Sequence, residues 1–131
     1  MADATRQEIR VESLHEPISH YTDAVRYGDL VFVSGCTGSD EDAVVVGGDD
    51  VAAQTRQALT NLGAILRAAG TDFDNVLKVT VYLTDVDDRT VINPVRKEFF
   101  GDARPASTLV EISNLAIPGA KVEIDAVASI P

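Results

Sequence analysis

Along Asn75–Thr84, Val79, Val81 and Leu83 alternate with Lys78, Thr80 and Tyr82. A period of two puts the apolar set on one face of a β-strand and the polar set on the other. Lys121–Ser129 repeats the pattern, with Val122, Ile124, Ala126 and Ala128 set against Lys121, Glu123 and Asp125. Gln7–Val11 and Thr108–Ser113 read as shorter strands. Ala24–Tyr27 and Leu30–Ser34 flank Gly28 and Asp29, a tight-turn pair between two apolar runs, and predict a β-hairpin. From Val51 to Ala69 the period becomes helical. Val51, Thr55, Ala58, Leu59, Leu62, Ile65, Leu66 and Ala69 form one stripe, and Arg56, Gln57, Asn61 and Arg67 fall largely on the other side. Asp49 or Asp50 can cap this helix, and Gly70 stops it. After a turn over Asp85–Asp88, a second helix runs from about Arg89 to Phe100 and ends at Gly101. Pro94 lies inside it, where proline removes a donor and crowds the preceding turn. One solution is a first turn ending near Ile92, with Asn93 capping a restarted helix and Pro94 at its first position.

The order is β-β-β-α-β-α-β-β, with no repeat, linker or low-complexity stretch. It predicts one α/β (α+β) domain over residues 1–131, residues 1–18 being the least defined part. The domain is expected to have two layers, a six-stranded mixed sheet with two helices packed on one face. Such a sheet leaves its other face uncovered, which invites oligomerisation.

Composition narrows the functional classes. The 131 residues carry 21 acidic and 11 basic side chains, a formal net charge of −10. An acidic surface repels phosphate backbones, so nucleic acid is not an expected partner. No apolar run approaches the ~18 residues that span a bilayer, so no membrane partner is expected. Met1–Thr5 has neither a basic start nor an apolar core, so a cytoplasmic location is expected. Cys36 is the single cysteine and reads as a small packed residue. His15 and His20 are not at metal-ligand spacing and read as surface or loop residues. Gly47 and Gly48 precede a helix, but the lysine and glycine spacing of a phosphate loop are missing.

Tyr21–Gly35 (YTDAVRYGDLVFVSG) resembles the opening of Rid (RidA/YjgF) family proteins, where a tyrosine is followed by a strand, a Gly-Asn/Asp turn and a Ser-Gly pair. Asp50–Leu62 resembles their first helix and Lys78–Asp85 their central strand. Val91–Asn93 with Phe99 and Phe100 resembles their second helix, and Lys121–Ala128 their closing strand. The resemblance runs from about Ser19 to the end. It implies a chorismate-mutase-like fold and a homotrimer with a small-molecule cleft between each pair of subunits. It also implies hydrolysis of 2-imino and 2-enamino acids to ammonia and a 2-keto acid, with no metal or organic cofactor.

Carried over residue by residue, the resemblance makes Glu123 the catalytic, water-positioning group. It places Tyr21, Ser34, Gly35 and Asn93 in the substrate pocket. The carboxylate-binding arginine of the Pro-Ala-Arg-x-x-x-Glu pattern is missing: Pro105 and Ala106 are followed by Ser107, with Glu111 in the acidic position. Arginine grips a carboxylate through two parallel charged hydrogen bonds, whereas serine offers one neutral donor. Removing one member of a buried charge pair costs ~2–5 kcal/mol. Arg104, in a proline-containing segment, either turns inward to replace it or stays on the surface beside Asp102. Ser107 and Leu109 would then line a cleft of altered specificity. Each other candidate has a structural alternative. Tyr21 can simply pack, Asn93 can cap a helix, Ser34 and Gly35 can end a strand, and Glu123 can be an exposed charge on an edge strand. Two functions follow: an imine or enamine deaminase-type hydrolase with altered specificity, or a non-catalytic trimer that binds a metabolite or partner. A ribonuclease is the least compatible with the charge.

Overall fold

The computed structural model describes residues 5–131. Residues 1–4, most of the stretch read for a signal peptide, lie outside the described residues. The strands are β1 (Arg6–Ile9), β2 (Ala24–Tyr27), β3 (Leu30–Thr37), β4 (Val76–Leu83), β5 (Ala106–Glu111) and β6 (Val122–Ser129), and the helices are α1 (Val51–Ala68) and α2 (Arg89–Phe100). They form one six-stranded sheet in the order β1-β2-β3-β6-β4-β5. Only β4 and β5 run parallel, so the sheet is mixed. β6 lies between β3 and β4, inside the sheet, which corrects the edge-strand alternative for Glu123.

The alternating pattern sets which side is buried. Val79 pairs with Ala126, Val81 with Ile124 and Leu83 with Val122, and all six side chains are buried on the helix side. The α1 stripe covers them: Leu59, Leu62 and Leu66 are fully enclosed, each burial worth ~1.5–3 kcal/mol. Asp50, not Asp49, caps the helix, its Oδ1 accepting from the amides of Ala52 (3.0 Å) and Ala53 (3.1 Å). The opposite sheet face leaves Tyr27, Leu30 and Phe32 exposed. Among the described residues, no helix is long and apolar enough to cross a membrane.

Three local expectations change. Helix α2 is continuous through Pro94, with no restart at Asn93. Thr90 and Pro94 are exposed, so the Thr90 carbonyl left without an amide partner is open to water. Asn61 is buried, not on the outer side of α1, and its Nδ2 donates to the carbonyls of Thr37 (3.2 Å) and Ser39 (2.9 Å). Strand bounds also shift: β3 continues to Thr37 across a change of register between Val33 and Cys36, β1 covers Arg6–Ile9, and β5 starts at Ala106.

Gly38 sets how closely α1 sits on β3. A Cβ there would meet the Gln54 carbonyl oxygen and lie 2.6 Å from Gln54 Cα and 2.8 Å from its carbonyl carbon. Gln54 is itself pinned, donating from Nε2 to Gly48 O (2.7 Å) and Gly119 O (3.1 Å) and accepting from Lys121 N (2.8 Å). Backbone atoms held this way cannot step aside. Gly38→Ala is therefore expected to cost at least ~1–3 kcal/mol, read as a lower midpoint in urea unfolding at unchanged slope.

Candidate functional site

The site begins with an ion pair that the sequence reading missed. Arg10 Nη1 donates to Asp23 Oδ2 at 2.8 Å, and Asp23 is buried at the start of β2. The same carboxylate accepts from Val11 N at 2.8 Å. Arg10 Nη2 donates to the carbonyls of Leu14 (3.0 Å) and His15 (3.1 Å), and its Nη1 also reaches that of Val11. One guanidinium thus gathers the connection between β1 and β2 into a wall. Its residues Ile18 and Tyr21 face β3 across a cleft of about 460 Å³.

This cleft brings together four of the predicted residues, Tyr21, Ser34, Gly35 and Glu123, and adds His15 and Thr37. Ser34 is committed to structure, its Oγ donating to the Thr22 carbonyl at 2.6 Å. Tyr21 is substantially exposed, and its hydroxyl accepts a long 3.4 Å bond from Ile18 N. Glu123 lies across Gly35, where an added Cβ would sit 2.5 Å from Oε2 and 2.6 Å from Cδ. The absent side chain at residue 35 is what gives the carboxylate its place. Burial pushes the Glu123 carboxyl above the ordinary range, and the neighbouring Asp125 charge adds to the shift. Asp125 is held by Thr80 N (3.1 Å) and the Tyr82 hydroxyl (3.3 Å). Cys36 is buried behind the cleft. Burial raises its thiol pKa strongly, with Asp23, Glu123 and Asp125 adding to the shift, so it is no nucleophile at neutral pH.

The remaining candidates are elsewhere. In the parallel register Val79 is opposite Ser107 and Val81 opposite Leu109, so both β5 residues face the helices while Glu123 faces away from them. Leu109 is half-buried against the core. Asn93 and Arg104 line a second cleft of about 300 Å³ with Arg96, Lys97 and Pro105. Arg104 is exposed and forms no ion pair with Asp102. The group that reaches Ser107 is instead Arg96, whose Nη2 donates to Ser107 Oγ at 3.0 Å. Its signal was available: Arg96 is three residues after Asn93 and shares its helix face. Arg104 drew attention only as a neighbour in sequence.

Glu123 gives two expectations. Its raised folded-state pKa means that the folded protein holds this proton more tightly than the unfolded chain does. Its contribution favours folding at low pH and is lost as pH rises from the ordinary carboxylate range through the folded value. Glu123→Gln is therefore expected to melt higher than the wild type at neutral pH, with the difference shrinking in acid. Gly35→Ala, by contrast, meets as its nearest obstacle the flexible Glu123 side chain. It should fold with near-normal stability but lose function through a misplaced carboxylate, as its structure and melting curve would show together.

Comparison with known proteins agrees with this architecture. The family model described as Endoribonuclease L-PSP matches residues 12–130. A RutC family protein of Pyrococcus horikoshii is 38% identical over 94% of this chain and 97% of its own. A 2-iminobutanoate/2-iminopropanoate deaminase of Bos taurus is 39% identical over 98% of this chain and 93% of its own. The crystal structure of RidA from an Antarctic Psychrobacter is 32% identical and superimposes with a TM-score of 0.88, covering 95% of this chain and 99% of that one. With its fold, its chain-long family match and its full-length relatives in agreement, this protein belongs to the Rid (RidA/YjgF) family, the family of the Endoribonuclease L-PSP model.

Proposed function

We propose that this protein hydrolyses the C=N bond of small imines or their enamine tautomers, at a site completed by a second copy of the chain in a homotrimer. The observation that carries this is the Glu123 carboxylate. It is half-buried, it is raised in pKa, it lies open to a cleft over Gly35, and no protein donor among the described residues holds it. Such a group can hold a water and take its proton. The water oxygen bonds to the imine carbon as the C=N electron pair moves to nitrogen. The proton on Glu123 then passes to that nitrogen, and the resulting carbinolamine collapses to a carbonyl compound and ammonia. Tyr21, on the cleft wall and exposed, would orient the substrate.

The division of candidates between two clefts supports a second copy. Glu123 points away from the helices, whereas Asn93, within α2, and Arg104, just beyond its end, line the second cleft. Rotation of side chains within one chain does not join them. The exposed Tyr27, Leu30 and Phe32 form an apolar surface suited to self-association. Relatives named 2-iminobutanoate/2-iminopropanoate deaminase support this substrate class. Ser107 in place of arginine sets this chain's specificity apart within it. The net charge of −10 favours a small metabolite over RNA.

The test generates 2-iminobutanoate in situ and follows its decay. The wild type should accelerate hydrolysis, and Glu123→Gln should lose about 10²–10⁴-fold in kcat/KM. The wild-type kcat/KM should fall in acid with an apparent pKa above the usual glutamate value, because only the carboxylate form is active. Wild-type decay no faster than buffer would end the hydrolase reading. Phe32→Asp should reduce the sedimentation coefficient to that of a monomer and abolish hydrolysis, although Glu123 is untouched.

A further inference from the structure

The cleft at the end of α2 carries unneutralised positive charge on a protein of net charge −10. Arg6, Arg10, Arg56, Arg67 and Arg89 lie within ion-pair distance of an acid, and Arg26, away from this cleft, donates from Nε to the Gly28 carbonyl. Arg96 and Arg104, which line this cleft with Lys97, have no such partner among the described residues. Arg96 is the half-buried one of the three. Burial lowers its pKa, and no acid offsets that effect. A desolvated, unpaired guanidinium is costly to keep and is poised for an anion.

The geometry also explains the residue beneath it. Arg96 extends from α2 to β5 and donates from Nη2 to Ser107 Oγ at 3.0 Å. A guanidinium has five N–H donors in a planar fork, and this contact uses one. Serine is short and supplies an acceptor, so it holds the fork without blocking it. A second cation at residue 107 would stand where Arg96 now reaches.

We propose that Arg96 is the anion-binding residue of this protein. Its guanidinium, anchored over β5 by Ser107, takes the carboxylate of a small 2-imino acid or of the 2-keto acid it becomes. Lys97 and Arg104 raise the local positive potential. The substrate's identity rests on the hydrolase reading above, but the anion site does not. Ser107 then marks carboxylate recognition moved from the strand to the helix. The longer reach, from another element, is the source of altered selectivity among acids.

The probe is 2-oxobutanoate. Its affinity is measured by calorimetry, beside kcat/KM for 2-iminobutanoate, in wild type, Arg96→Met, Arg96→Gln, Arg104→Met and the double variant Arg96→Met/Ser107→Arg. Sedimentation and melting are recorded for each, and Arg96→Gln serves where Arg96→Met does not assemble. Loss of one charged partner predicts at least about 30-fold weaker binding in both Arg96 variants. KM should rise or kcat/KM fall in parallel, Arg104→Met should lose less than either Arg96 variant because its charge is solvent-screened, and the double variant should recover much of the loss. Wild-type affinity in the Arg96 variants, a wild type that does not bind 2-oxobutanoate, or loss confined to Arg104→Met would overturn the assignment. A wild type that binds 2-oxobutanoate through Arg96 yet leaves 2-iminobutanoate intact would instead uphold the anion site and remove the hydrolase reading.

Discussion

The arrangement depends on one constraint, that only one face of the sheet is covered. The pairs Val79–Ala126, Val81–Ile124 and Leu83–Val122 lock the apolar sets of β4 and β6 beneath α1 and α2. Side chains alternate with a period of two, so a slip of one residue would bury Lys78, Thr80, Tyr82, Glu123 and Asp125 and expose the valines and isoleucine. The cost of that slip holds Glu123 on the open face. The same parity passes through the parallel pairing to β5 and turns Ser107 toward the helices. Hydrophobic packing on one side of the sheet thereby decides where charge can be used on the other.

The strand parity, the α1 stripe and the element order were legible because each is a local repeat whose period is fixed by backbone geometry. Tyr21, Ser34, Gly35 and Glu123 were legible as a group only through resemblance, and the structure does bring these residues to one cleft. What escaped was not periodic. Arg10 and Asp23 are separated by thirteen residues, and nothing local marks them as partners. Asn61 reads as polar and therefore outward, yet it is buried because two carbonyls of β3 and the following loop need its amide. Pro94 reads as a break, but its unmet hydrogen bond faces solvent and the helix continues.

Arg10 and Asp23 matter beyond fold. The β1–β2 connection has few apolar anchors, Val11 and Leu14 being the half-buried ones. Its conformation is set by one guanidinium that bonds to a carboxylate and to backbone carbonyls of the same connection. The wall holding His15, Ile18 and Tyr21 opposite Glu123 is therefore electrostatic in origin, while the floor at Gly35 is steric. Two different physical devices meet at one carboxylate. Arg10 escaped the sequence reading and Gly35 entered it only through resemblance, because neither supplies a reacting atom.

The same logic bears on Ser107. Serine stands at 107 where the resembling pattern has arginine, and Arg96, eleven residues earlier on α2, donates to it. A sequence motif records which residue type stands at a position, whereas binding requires only that charge and geometry arrive at a point in space. Where two elements converge on that point, either can deliver the cation, and the other then does best with a small acceptor that fixes its partner's rotamer. A half-buried Arg96 with one neutral hydrogen bond and no carboxylate has the form expected of such a delivery. It also explains why serine, rather than a bulky apolar residue, stands at 107: leucine or valine there would give the guanidinium neither an anchor nor room.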